Sequence, residues 1–361
     1  MEEQNIYANR KQKDTDIAKC PQCGSNLIFN PETQGLYCEH CGFQKEIPAE
    51  KTEELIFNVD AKFETWSNET HVARCTNCGA EEIIQKNEIS ITCPFCGTSS
   101  VIQTKELSGQ KPNGIVPFKL TKNEAAEKVK VWKKKKILAP RKFKDSSKPE
   151  NIKGVYSPAF TYDADTDSTY TGRLGKYYTV TRRVNGKTIT ERKIRYFNIS
   201  GSFGCIYDEV MIQASSSISQ DTLSKIRPFD SNNSLNYRIE YLFGYSANQY
   251  AKDGIECWKQ ADVIIREKIK RGILAKYSYD TVDSLKVSTT YLQITHKYLL
   301  LPIYVGHFDW HKKLYNFFIN GFNGKVTGKV PVSALKVLII VVSILILIGT
   351  IFGVYLLSKN G

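Results

Sequence analysis

Histidine is scarce in this chain, with five among 361 residues, and there is no H-E-x-x-H pair, no G-x-S-x-G elbow and no G-x-G-x-x-G turn. The usual signatures of zinc peptidases, α/β-hydrolases and dinucleotide enzymes are therefore missing. Residues 1–19 are polar and lack the apolar run of a secretory leader. Gly186-Lys187-Thr188 has the ending of a phosphate loop. The glycine such a loop needs five residues before Gly186 is Thr181, and the flanks read strand–turn–strand. Asp163, Asp165 and Asp167 start like a calcium loop, but its sixth and twelfth positions hold Ser168 and Leu174, so a polar strand edge is expected. His307 and His311, with Asp309 between them, are expected to face solvent near a hairpin turn.

What is present is cysteine. Eight of the ten form four C-x-x-C pairs, at Cys20, Cys23, Cys38, Cys41 and at Cys75, Cys78, Cys93, Cys96. Each member of the second set lies 55 residues after its counterpart, which marks a duplicated module. A C-x-x-C turn offers two sulfurs to one tetrahedral ion, and a second turn on a neighbouring hairpin completes the shell. The 14 residues between the pairs of each set suffice for one antiparallel excursion. Gly24, Gly42, Gly79 and Gly97 follow the pairs, where a tight turn needs them. The expectation is two structural zinc ions with no open position for water. Thiolate ligation requires a reducing compartment. Cys205 and Cys257 stand alone and are expected to be small core residues, and His40 to be exposed rather than a ligand.

The formal net charge is +13; eight thiolates would subtract eight charges and two zinc ions return four, leaving +9. That balance suits anionic partners without choosing among nucleic acid, membrane and acidic protein. The most basic stretch is Lys119–Lys144, with eleven basic residues against Glu124 and Glu127.

The pattern divides the chain into a polar lead at 1–17, a first zinc ribbon at 18–46, a connector at 47–72, a second ribbon at 73–103, a body at 115–330 and a terminal helix at 337–357. The connector, with Leu55, Ile56, Phe57, Phe63 and Trp66, is too apolar to hang free and is expected to pack on a ribbon. A loose joint is expected at 104–114. Thr121 and Glu124 form a capping box that opens a helix over 122–137, with Ala125, Val129 and Trp132 on its apolar stripe. Strands are expected over 177–184 and 188–197 around the Asn185-Gly186 hairpin turn, a helix over 254–271 and a meander over 298–326. A polar stretch at 142–153 separates the first helix from these strands. Strands and helices are segregated, so the fold class is α+β.

Val337 to Leu357 contains 21 residues and no charge, about 32 Å of helix at ~1.5 Å per residue. Lys325, Lys329 and Lys336 precede it and Lys359 alone follows, so the expected topology is a single-pass tail anchor with the body in the cytoplasm.

With these residues in place, the chain resembles bacterial membrane-anchored proteins of the TFIIB-type zinc-ribbon group. The resemblance rests on the tandem ribbons, Val155-Tyr156-Ser157-Pro158, Leu301-Pro302-Ile303-Tyr304, Phe318-Ile319-Asn320-Gly321, Gly324-Lys325-Val326-Thr327-Gly328 and the terminal anchor. Members are often labelled as related to the primosomal helicase or to phage replication proteins. This chain lacks the phosphate loop of a helicase, so that activity does not carry over. The resemblance implies membrane complexes with phage-shock-protein-A-like and SPFH-type partners in envelope stress. The expected function is that of a non-enzymatic membrane adaptor that recruits proteins. The alternative is a membrane-tethered nucleic-acid binder acting through Lys119–Lys144.

Overall fold

The computed structural model describes residues 19–58, 70–85, 90–101, 103–106, 110–140, 142–143, 152–184, 187–310 and 313–360. The polar lead, Phe63, Trp66, Gly109, Arg141, Lys144, most of the 142–153 stretch, the Asn185-Gly186 turn and His311-Lys312 lie outside them.

The fold is mixed α+β. Short antiparallel strands β1 (Ile28–Asn30), β2 (Gly35–Tyr37) and β3 (Gln44–Glu46) form the first cysteine module. β4 (Leu55–Ile56) follows, then the second module with β5 (Thr70–Arg74), β6 (Glu81–Gln85), β7 (Ser90–Thr92), β8 (Ser99–Val101) and β9 (Gln103–Glu106). The body begins with β10 (Gly114–Ile115) and α1 (Lys122–Lys134). Thr121 caps α1 as the capping box predicts: its side chain accepts from the Glu124 amide, and the Glu124 carboxylate accepts from the Thr121 amide at 2.8 Å. Next come β11 (Ile152–Val184), β12 (Lys187–Gln213), α2 (Gln220–Ile226), β13 (Leu235–Asn236), β14 (Ser246–Asn248) and α3 (Gly254–Leu274). β15 (Thr281–Trp310), β16 (Lys313–Asn320), β17 (Val326–Gly328) and α4 (Ala334–Asn360) complete the chain.

The hairpin is confirmed and is far longer than expected. β11 pairs with β12 from Ala159↔Gln213 out to Val184↔Lys187, which leaves two residues for the turn. On its other side β11 pairs with β15 from Ile152↔Gly306 to Gly175↔Thr281. Asp163, Asp165 and Asp167 therefore lie in a central strand rather than at a polar edge. Beyond Gly175 only β11 and β12 continue, as a two-stranded ribbon.

The run Tyr298–Val305 is apolar at nearly every position because both of its faces are covered. Leu300 and Tyr304 enter one core, with Phe29 and Leu36 of the first module and Ala125 and Val129 of α1. Leu299, Leu301, Ile303 and Val305 enter another, with Cys75, Cys93 and Phe95 of the second module and Leu223 and Ile226 of α2. A third core lies under α3, whose Ala261, Ile265, Ile269 and Ile273 pack on Tyr162, Tyr170 and Ile212. The opposite side of that part of the sheet is exposed among the described residues. Ile206 and Leu292 are 72% and 64% exposed there.

The connector packs on both: Ile47 shares the core of the first module, as expected, while its described residues 55–57 pack on the body. Leu55 and Ile56 pair with His296 and Thr295 of β15, and the Phe57 ring lies 5.5 Å from Tyr162 and 5.5 Å from Trp258. The joint expected at 104–114 ends inside the sheet, where Gly114 and Ile115 pair in parallel with Leu299 and Leu300.

α4 is apolar over 337–357, and most of its described side chains are exposed. Ala334–Gly353 is long and apolar enough to cross a membrane, and none of that stretch is buried.

Candidate metal centres

The same turn occurs four times. The amides of Gly24, Gly42, Gly79 and Gly97 donate to the carbonyls of Cys20, Cys38, Cys75 and Cys93 at 2.8–2.9 Å. The four glycines have φ of 73°, 77°, 74° and 72°, the left-handed region where a side chain costs about 1 kcal/mol or more. The amide of the leading cysteine then donates to the carbonyl of Ser25, Phe43, Ala80 or Thr98 in turn. Each turn aims two sulfurs to one side.

The turns face each other in pairs. Sulfur separations are 3.4 Å for Cys20–Cys41 and 3.5 Å for Cys23–Cys38, with 3.6 Å for Cys75–Cys96 and 3.5 Å for Cys78–Cys93. In each set all four sulfurs lie within 4.8 Å of one another. A disulfide would need about 2.05 Å. A tetrahedron of sulfurs at ~2.3 Å from a central ion has edges of roughly 3.8 Å. The spacing fits a metal rather than bonded pairs, and the two groups of four are the ones the sequence spacing picks out. Cys20, Cys38, Cys75 and Cys93 are buried, while Cys23, Cys41 and Cys78 are exposed.

Hydrogen bonds prepare one thiolate per cluster. Those from the Ser25 side chain and backbone bring the Cys23 thiol down to about 6. At Cys96 burial opposes ionisation, but hydrogen bonds from Thr98 and Asn77 outweigh it and bring the thiol to about 6. Cys41, Cys78 and Cys93 are shifted the other way, toward the protonated form. A backbone hydrogen bond from Phe43 favours the Cys41 thiolate, yet burial and the Cys20, Cys23 and Cys38 sulfurs push it up to about 12. Partial desolvation of the Cys78 sulfur, whose residue is exposed as a whole, raises it to about 11, and burial pushes Cys93 further up. Four sulfurs this close resist ionising together unless a cation joins them.

Both modules are built into the body. Phe29 of the first donates its amide to the Phe243 carbonyl at 2.9 Å and meets Tyr241 edge-on at 5.3 Å. Gln34 reaches the Phe118 carbonyl at 2.8 Å. In the second module β6 pairs with β14, Ile83 opposite Ala247.

The chain is similar to "Uncharacterized protein YdjG" of Bacillus subtilis (strain 168). The two are 28% identical over 321 residues, 88% of this chain and 91% of the relative. No family model matches the chain, and no solved structure matches it.

The remaining sequence candidates are placed as follows. His40 is exposed. His307 lies in β15 opposite Asn316 and is half-buried rather than solvent-facing, and a Cβ on Gly97 would meet its ring at 2.6 Å. The second module thus rests against His307. Cys257 is on the buried face of α3 and Cys205 is half-buried. Lys187 and Thr188 start β12, a strand–turn–strand setting. The basic stretch is not one surface. Lys119, Lys122, Lys128, Lys130, Lys134 and Lys135 are exposed, but Lys133 is buried, its ammonium 4.6 Å from the Phe143 ring centre and 4.8 Å from that of Phe317. Trp132 is partly buried against the same core.

Two groupings escaped sequence reasoning. The β11–β12 ribbon stacks Arg192 on Tyr177, Arg195 on Tyr178 and Arg173 on Tyr196, with centroid distances of 3.5, 5.4 and 4.4 Å. The alternation of Arg and Tyr there was visible but read only as strand propensity. The other grouping is a carboxyl pair. Glu54 accepts from the Thr295 hydroxyl at 2.7 Å and meets the Lys297 ammonium at 3.1 Å. Its neighbour Asp163 accepts from the Glu209 amide at 2.7 Å. Burial pushes Asp163 up to about 7, against that amide and with Glu54 and Asp208 adding to the rise. Glu54 itself is lowered. Burial opposes this, but Thr295, Asp163 and Lys297 outweigh it.

Proposed function

We propose that the chain is a membrane-tethered adaptor in which two structural zinc ions, in ribbon-type modules, hold a rigid body that recruits protein partners to the cytoplasmic face. The carrying observation is the pair of four-sulfur clusters closed into the two cores that flank β15. Cys20, Cys23, Cys38 and Cys41 would hold one ion, and Cys75, Cys78, Cys93 and Cys96 the other. With four protein sulfurs each, such ions have no open position and supply stability rather than water activation. The apolar α4 supports a tether, and the lysine asymmetry around it supports a cytoplasmic body. On this reading the exposed sheet face that carries Ile206 and Leu292, set among Asp165, Asp167 and Thr290, is the surface offered to partners.

The test is isolation of the tagged full chain from mildly solubilised membranes, with and without nuclease. Proteins that co-isolate in a nuclease-insensitive way, and that are lost in Ile206→Arg/Leu292→Arg with metal content unchanged, support the adaptor. Recovery of nucleic acid alone contradicts it.

One observation favours the nucleic-acid alternative, and it lies in the ribbon rather than in Lys119–Lys144. Between Arg173 and Phe197 the ribbon carries eight basic residues against Glu191, with its tyrosines stacked under arginines. A two-stranded β-ribbon is one of the shapes a major groove admits.

A further inference from the structure

α1 ends at Lys134, and the chain turns through Lys135, Lys136, Ile137 and Leu138 to the buried Ala139. Ile137 is 72% exposed and Leu138 37%. An isolated exposed isoleucine needs no explanation; this one is fastened to the start of α4. The Ser333 amide donates to the Leu138 carbonyl at 2.9 Å. The Lys336 ammonium donates to the carbonyls of Ala139 at 2.5 Å and Ile137 at 3.3 Å. The apolar stretch begins at Ala334. At ~1.5 Å of rise per residue, Ser333 and Lys336 lie within about one helical turn of the level where it begins. The 134–139 turn is held at that same level. Val131, 54% exposed, shares a helical face with Lys134 and Lys135, three and four residues on.

We infer that this turn is a second membrane contact beside α4. Ile137 and Leu138 enter the boundary between headgroups and acyl chains, and Lys134 and Lys135 meet anionic lipid headgroups. Short apolar groups flanked by lysines are what an interfacial segment needs. The consequence is mechanical. A body attached at two points cannot swivel about α4, so the open sheet face keeps one orientation to the bilayer. The inference rests on the reading of α4 as a membrane span.

The test uses the full chain in lipid nanodiscs with brominated acyl chains, with and without phosphatidylglycerol. Fluorescence is compared with the wild-type background for Ile137→Trp, for Leu345→Trp within α4 and for Val263→Trp on the exposed side of α3. Shallow bromines should quench Ile137→Trp several-fold more than Val263→Trp. Phosphatidylglycerol should strengthen that quenching, and Lys134→Gln/Lys135→Gln should remove the increment while metal content stays unchanged. If Leu345→Trp is quenched and Ile137→Trp behaves like Val263→Trp, the second contact is refuted and the span stands. If Leu345→Trp is not quenched, the span fails and the inference fails with it.

Discussion

Leu299 and Leu300 are adjacent in β15 and enter opposite cores, the first closed by the second cysteine module and the second by the first module. Each side chain is fully buried. Truncating either to Ala should cost about 2–5 kcal/mol. The costs should couple selectively. Leu300→Ala should be non-additive with Cys20→Ser, and Leu299→Ala with Cys75→Ser, because each pair shares one core. Double-mutant cycles from thermal unfolding in micelles would show this, and equal coupling for all four combinations would contradict it.

Metal analysis of the purified, reduced chain should find two zinc ions with sulfur-only ligation. Cys20→Ser should lose one ion and destabilise more than its own module, since Phe29 and Leu36 share a core with Tyr241 and Phe118. One ion or none in the wild type would contradict the two-ion reading.

The Glu54–Asp163 pair should give stability a pH dependence. In the unfolded chain an Asp titrates near ~3.9, whereas Asp163 in the fold is raised to about 7. Between those values the folded chain binds a proton that the unfolded chain has released, so the Asp163 contribution falls as pH rises through this window. Glu54, being lowered, contributes oppositely: its stabilisation is present above the usual glutamate range and lost as pH falls below it. The melting temperature of Asp163→Asn, relative to wild type, should therefore rise between about pH 5 and about pH 7. A pH-independent difference would show that Asp163 is not raised in the fold.

The sequence made the cysteine modules legible because their geometry is local. A C-x-x-C-G segment carries its own turn, and the constant 55-residue offset marks the duplication. The Thr121–Glu124 box and the stripe of α3 are equally local. The long strands were not legible. Asp163, Asp165 and Asp167 break the apolar alternation in β11, and only their pairing partners, more than a hundred residues away in β15, reveal the strand. Lys133 read as surface charge because the rings that enclose it include Phe317, 184 residues later. Glu54 and Asp163 meet only through the packing of the connector on β15.

If the ribbon serves nucleic acid, the full chain should bind DNA or RNA with an affinity that falls steeply with salt. Arg182→Gln, Arg183→Gln, Arg192→Gln and Arg195→Gln together should then flatten that slope. The adaptor reading expects weak binding and no change in partner recovery. No ATP hydrolysis is expected, and hydrolysis lost in Lys187→Ala would reopen the phosphate-loop reading.

Topology can be read by fractionation. Removing residues 333–361 should release the chain from membranes, and protease added to intact cells should leave both modules uncut. Digestion of the modules from outside would contradict the proposed orientation.

The most direct test of the adaptor is where its partner goes. A soluble protein that co-isolates with the chain should be found at the membrane with the wild type, and should follow the chain into the soluble fraction when residues 333–361 are removed. It should leave the membrane with Cys75→Ser/Cys78→Ser while α4 still inserts. A partner distribution that ignores both changes would contradict recruitment by this protein.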